Sequence, residues 1–286
     1  MGMTGSLAAG PLSERILFVS RPTGKDRIYM MRSDGRDLER LIDLPADTSE
    51  PSLSLAAEAV AFESDLDGNE EIYRVNLEGE NLQRLTDSLS ADRHPSWSPD
   101  GKRIVFSSSR WGQPELALMG AEGGEVTRLT FDQMVNVRPV WSPTGEWIAY
   151  VSYRGGSADI WARQLETGES LRLTYNSIQD TTPAWSPDGR RLVYKARHYW
   201  GHCLAIVSLD EPDEQLDFAR DQAKARDPVF SPDGRFVLFA TPEGMFRSEL
   251  KDGVPQPAVP QAVPTPRFEP LYEFRELEWG RCPLPW

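Results

Sequence analysis

Cysteine, histidine and long apolar runs are scarce in this sequence. Its 286 residues hold two cysteines, Cys203 and Cys282, and three histidines, His94, His198 and His202. Two cysteines cannot frame a disulfide-stapled scaffold. They read as unpaired thiols, with a Cys203–Cys282 bridge pinning the tail as the alternative in an oxidising compartment. No apolar run approaches the ~20 residues of a membrane-spanning helix, so membrane insertion is not expected. Residues 1–10 carry neither a basic start nor an apolar core of the secretory kind, which gives a cytoplasmic reading. Positive charge is also short, and the formal net charge is −13. A surface of that sign repels phosphate backbones and anionic lipid. Nucleic acid is therefore excluded as an expected partner, and a basic partner is electrostatically easier. The G-x-S-x-G elbow, H-E-x-x-H, the Walker-type glycine loop and C-x-x-C are missing as well.

What the chain has is a period. The stretch from His94 to Asp132, HPSWSPDGKRIVFSSSRWGQPELALMGAEGGEVTRLTFD, returns along almost its whole length. Its opening proline recurs as Pro51, Pro95, Pro139, Pro183 and Pro228, in steps of 44, 44, 44 and 45 residues. The aromatic ten or eleven places on recurs as Phe62, Phe106, Tyr150, Tyr194 and Phe239, and Phe18 extends the series backward. Such a period marks a repeat architecture.

One copy reads as four short antiparallel strands. Ser96-Trp97-Ser98 is extended, and Ser98-Pro99-Asp100-Gly101 is a tight turn: proline presets φ, aspartate caps its own backbone, and glycine accepts positive φ. Arg103 to Ser108 is rich in strand formers, Leu116 to Met119 is a third run, and Val126 to Thr130 a fourth. Four strands in about 44 residues make a propeller blade, and such sheets cover their apolar faces only by ringing a common axis. The expected fold is all-β: a six-bladed β-propeller of four-stranded antiparallel blades spanning residues 14–274. A disordered segment, 1–13, precedes it and a tail, 275–286, follows. Copy one lacks its first strand and copy six its last. The proline-rich stretch 254–266 suits an outer edge. Glu269-Pro270 echoes Glu50-Pro51, so residues 269–274 are expected to form the innermost strand of blade one, pair with Ile16 to Ser20, and close the ring.

The pattern P-x-W-S-P-D-G-x-x-I-x-F, the hairpin Asp65-Leu66-Asp67-Gly68-Asn69-Glu70-Glu71-Ile72-Tyr73 and the ending Arg84-Leu85-Thr86 together resemble the TolB-type propeller repeat. Related repeats occur in tricorn-type and prolyl oligopeptidase-type propellers. The resemblance covers about residues 14 to 250. It implies the six-bladed fold and, for a chain whose leader has been removed, a periplasmic location. The matching residues build blades, so they speak for fold and not for function.

Candidate site residues come from position. The residues before the repeat prolines are Glu50, His94, Arg138, Thr182 and Asp227. They differ in type but hold one slot near the mouth of the central channel. The neighbouring hairpins add Arg110 and Trp111, Tyr153 and Arg154, and Tyr199 and Trp200. Aromatics beside arginines are the types enriched in binding hot spots, and loops on a rigid scaffold are where function concentrates. His94, His198 and His202 are the weak metal candidates; no metal or other cofactor is expected. Asp65-x-Asp67-Gly68-Asn69-x-Glu71 alternates oxygen donors as a calcium loop does, and it also has the composition of a tight hairpin. The reading is a monomeric, non-catalytic TolB-like propeller scaffold that binds a protein or peptide at its channel face. The alternative is a propeller enzyme, a metal-assisted lyase or hydrolase, working in the same channel.

Overall fold

A computed structural model describes residues 15–21, 24–175, 178–220, 224–242, 244–251, 254–255, 261–262 and 274–279. Those residues form six antiparallel sheets arranged as a six-bladed propeller. Among them no helix is long and apolar enough to cross a membrane. Blade three sets the pattern, with strands Asp92–Trp97, Arg103–Ser108, Glu115–Gly120 and Gly123–Arg128 in order from the axis outward. Blades two, four and five repeat it from Thr48–Ser54, Asn136–Trp141 and Gln179–Trp185. Blade six starts at Arg226–Phe230. Its strand Gly244–Lys251 is edged by Val254–Pro255 and Gln261–Ala262, inside the proline-rich stretch expected there.

Blade one draws on both ends of the chain. Arg15–Ser20 pairs with Arg27–Arg32 on one side and with Phe274–Trp279 on the other. Residues 269–273 of the expected strand lie outside the described residues, as do 1–13 and Cys282. In register, Glu278 opposes Leu17 as Ser52 opposes Ala61, and Arg275 opposes Val19 as Ser49 opposes Glu63. Glu276 and Leu277 therefore hold the positions of Glu50 and Pro51. The first strands adjoin one another around the axis, and Phe274–Trp279 adjoins those of blades two and six.

Apolar seams between neighbouring blades hold the ring together. Ala59, Ala61 and Ile72 of blade two pack with Ile104, Phe106 and Ala117 of blade three. Ile16 and Phe18 of blade one meet Leu238 and Ala240 of blade six. The periodic aromatics Phe18, Phe62, Phe106, Tyr150, Tyr194 and Phe239 are each fully buried, a burial that stabilises by roughly 1.5–3 kcal/mol per side chain. Two of the three repeat tryptophans also bond across seams through their indoles: Trp97 Nε1 donates to Ser52 O at 3.1 Å, and Trp185 Nε1 to Val140 O at 3.0 Å.

The S-P-D-G turn works as its composition requires. Asp100 accepts from Ser98 Oγ at 2.6 Å and from the Lys102 amide at 3.1 Å. Gly101 has φ of 68°. A Cβ there would meet the Ala57 backbone of the preceding blade at 2.7 Å, so turn conformation and blade spacing both call for glycine.

Candidate functional site

Five first strands carry a bulge at the same place. Pairing skips from Ser49 to Ser52, Arg93 to Ser96, Val137 to Val140, Thr181 to Ala184 and Arg226 to Val229. Inside the bulges sit Glu50, His94, Arg138, Thr182 and Asp227, with φ of 49°, 55°, 53°, 52° and 51°. Non-glycine residues rarely adopt this left-handed conformation. Its repetition at one slot shows that the scaffold imposes it, whichever side chain is present.

Three slot residues meet around the axis. Arg138 of blade four grips Glu50 of blade two with Nη1–Oε2 at 3.0 Å and Nη2–Oε1 at 2.5 Å. His94 of blade three approaches Glu50 with Nε2 at 3.9 Å from Oε1, while its Nδ1 lies 3.3 Å from Ser107 Oγ. Thr182 and Asp227 occupy the slot in blades five and six. Thr182 Oγ1 is buried without a hydrogen-bond partner, and Asp227 lies 4.0 Å from Arg226 Nε.

A fourth member, Glu63 on the second strand of blade two, was not picked out from the sequence. It accepts from the His94 amide at 3.0 Å and from Ser49 Oγ at 3.0 Å. The signal was there: a carboxylate inside Ala-Val-Ala-Phe-Glu-Ser, at a place where copies one, four and six carry Val19, Val151 and Ala240. Burial pushes the Glu63 carboxyl up to about 7, reinforced by the charge of Glu50; the His94 amide, the Ser49 hydroxyl and Arg138 pull it partway back. Burial, then Arg138 and Arg93, hold the His94 imidazole well below its usual range. His94 is therefore neutral, and its approach to Glu50 is not an ion pair. The channel thus offers one tight Arg–carboxylate pair, a neutral imidazole and a carboxyl that changes charge near neutrality.

The slot opens toward one face of the ring. There the hairpins between second and third strands are stitched to the connections that enter the first strands: Asp92 N donates to Glu70 O, Ser109 N to Ala91 O and Tyr153 N to Val135 O. Most of the exposed large apolar side chains among the described residues project from these loops in blades three to five and the connections entering them. They are Leu89, Phe131, Met134, Tyr153, Tyr175, Ile178, Tyr199 and Trp200. Tyr199 is 97% exposed, Phe131 68% and Trp200 54%.

The hairpin arginines of blades three and four are committed to the scaffold. Arg110 bonds Asp92 Oδ2 at 2.7 Å, and Arg154 pairs with Asp132 and lies over the Trp161 ring at 4.4 Å. Trp111 is half-buried between the guanidinium groups of Arg110 and Arg128 and packs on the seam of blades two and three. An open cleft of about 500 Å³ between blades three and four is lined by Phe131, Asp132, Arg154 and Arg163. It lies outside the channel cluster but touches the same face.

The oxygen-rich hairpin of blade two is internally bonded. Tyr73 and Arg84 hold Asp67 at 2.6 and 3.3 Å, Asp65 accepts from the Asp47 amide, and Arg84, Thr86 and the Ser88 amide hold Glu71. This is the tight-hairpin reading. The histidines occupy different surroundings: His94 lies by Glu50 in the channel, His198 is 3.5 Å from Asp217 in blade five, and His202 has Lys195 and Arg197 as its charged neighbours.

The family model described as the TolB beta propeller domain matches residues 90–251, more than half of the chain. Among solved structures, TolB from Acinetobacter baumannii is 25% identical with a TM-score of 0.77, over 96% of this chain and 68% of that one. A putative TolB from Agrobacterium tumefaciens is 22% identical, with a TM-score of 0.59 over 77% and 87%. An oligogalacturonate lyase in complex with manganese shares the fold at 14% identity, with a TM-score of 0.62 over 87% and 74%. Among curated protein sequences none matches significantly.

Proposed function

This chain belongs to the TolB beta propeller domain family, and from that premise we propose that it is a non-catalytic scaffold whose channel face binds a protein or peptide. The observation that carries this reading is the gathering of exposed apolar side chains on the loops of one face. A surface rich in Phe, Tyr and Trp beside a polar channel mouth has the composition of a binding hot spot, and scattered exposure would not give one face such a concentration. The channel slot supplies the polar centre through Glu50, His94 and Arg138. The overall charge of −13 favours a partner with basic character.

The test is affinity capture from the native host with three full-length baits, read by mass spectrometry. One is wild type, one carries Phe131→Ala, Tyr153→Ala and Trp200→Ala, and the control carries Leu82→Ala, Leu171→Ala and Leu216→Ala on or beside the outer strands. The face variant should lose a specific partner at least tenfold while the control retains it. Equal capture by all three baits overturns the reading.

One observation favours an enzymatic reading instead. Burial raises the Glu63 carboxyl to about 7 at the channel slot, where it holds the His94 amide, and a general acid or base works best in that range. Turnover of oligogalacturonate with manganese, abolished in Glu63→Gln, would support it; no turnover by wild type removes that substrate and metal from consideration.

A further inference from the structure

Blade five departs from the device by which its neighbours pin their outer strands. In blades two, three and four the third strand opens with an acid and the fourth carries Arg-x-Thr. Arg84 meets buried Glu71 at 3.2 Å, Arg128 meets Glu115 at 2.7 Å, and Arg172 meets Asp159 at 2.9 Å. The threonine hydroxyls accept from the amides of Ile72, Leu116 and Ile160.

Register identifies the corresponding residues of blade five. Ala196 opposes Cys203 as Ser64, Ser108 and Ser152 oppose Glu71, Glu115 and Asp159. Ala205 opposes Asp217 as Tyr73, Ala117 and Trp161 oppose Arg84, Arg128 and Arg172. Ala219 follows where the threonine would be, and His198 stands where the hairpin arginines Arg110 and Arg154 stand. The acid has become a thiol and the arginine a carboxylate, with an imidazole added.

These three groups converge. One ligand atom each of His198, Cys203 and Asp217 lies within 4.8 Å of the other two. His198 Nε2 is buried without a hydrogen-bond partner, 3.5 Å from Asp217 Oδ2. Cys203 is a buried free cysteine. Trp200 stacks on the imidazole at 4.7 Å, and Arg220 lies over Trp200 and 3.3 Å from Asp217. Arg220 is mostly exposed, so it can leave the carboxylate without disturbing the core.

We propose that His198, Cys203 and Asp217 form a zinc-type metal site that replaces the acid–arginine clamp in blade five. A nitrogen, a sulfur and an oxygen ligand suit a borderline ion such as Zn²⁺ and leave a fourth tetrahedral position for water. Metal–ligand bonds of about 2.0–2.3 Å need only a small contraction of the group. His198 and Asp217, at the solvent edge, are placed to make it. On binding, the Cys203 S–H bond breaks, a metal–sulfur bond forms, and the proton leaves to solvent. Because the thiol gives up its proton to bind, uptake strengthens with rising pH.

Tag-free, metal-stripped full-length protein, kept reduced, is titrated with Co²⁺ and then Zn²⁺. The expected result is one Co²⁺ per chain with a thiolate-to-cobalt charge-transfer band, displaced by Zn²⁺, and a raised melting temperature. Cys203→Ser should remove the band, His198→Asn and Asp217→Asn should each weaken binding at least tenfold, and the exposed-surface control Glu122→Ala should leave Co²⁺ affinity unchanged. If Cys203→Ser does not fold, His198→Asn and Asp217→Asn, at the solvent edge, decide. Failure of wild type to bind stoichiometrically, or wild-type affinity retained in His198→Asn and Asp217→Asn, overturns the site.

Discussion

At the channel slot, side-chain identity and backbone conformation answer to different demands. Thr182 shows the conflict most clearly, being β-branched with φ of 52° and a buried, unbonded hydroxyl. The left-handed region costs most residues about 1–2 kcal/mol, and asparagine tolerates it best. Thr182→Asn should therefore stabilise the fold by about 1 kcal/mol in chemical denaturation; a loss of stability would show that the hydroxyl is needed. Glu63 makes a pH prediction. Its carboxyl is raised from 4.5 to about 7 in the fold, so between those values the native state holds a proton that the unfolded chain has lost. Stability therefore falls as pH rises through that window, and the full cost stands above it. Glu63→Gln should flatten this dependence and gain about 1–2 kcal/mol at pH 8, discounted for residual channel solvent. Parallel wild-type and variant curves from pH 5 to 8 would contradict the assignment. The slot itself was legible in the sequence because proline marks it. Glu63 was hidden because it follows the periodic aromatic in a strand that otherwise reads as core.

Within a blade, the outer strand is short and depends on its clamp. The fourth strand of blade two is only Gln83–Arg84, yet Arg84 and Thr86 tie it to Glu71. In blade three Glu115 also accepts from the Gln133 amide and Asn136 Nδ2. Glu115→Ala should cost about 3 kcal/mol, because it removes the acceptor of a guanidinium, a hydroxyl and two amide groups that are wholly or partly buried. Glu122→Ala, which breaks only the solvent-exposed pair with Arg74, should stay within ~0.5 kcal/mol. Urea unfolding of both variants makes the comparison. The sequence showed the Leu-Thr ending as a strand but not the carboxylate it serves, since an acid after a hairpin looks like an ordinary solvated turn. For the same reason the exchange of acid and arginine for Cys203 and Asp217 emerged only once strand register was known.

Across the whole molecule, the 44-residue period made blade number and order readable, because each sheet can cover its faces only with its neighbours. The innermost strand of blade one was placed by the Glu269-Pro270 echo, whereas the register gives that role to Phe274–Trp279, with Leu277 where the other copies have proline. Two matching residues were too short an echo to fix register. Deleting residues 274–286 should lower the melting temperature sharply; an unchanged value would mean that the Ile16–Leu238 seam closes the ring alone. We propose that one face, the loops of blades three to five around the channel mouth, meets the partner. Hydrogen–deuterium exchange on the full chain with its captured partner tests it most directly. Protection should fall on the loops of that face, among them those around residues 88–92, 109–114, 131–135, 153–158 and 198–201. Protection of the outer strands or the S-P-D-G turns, with these loops unchanged, would contradict it.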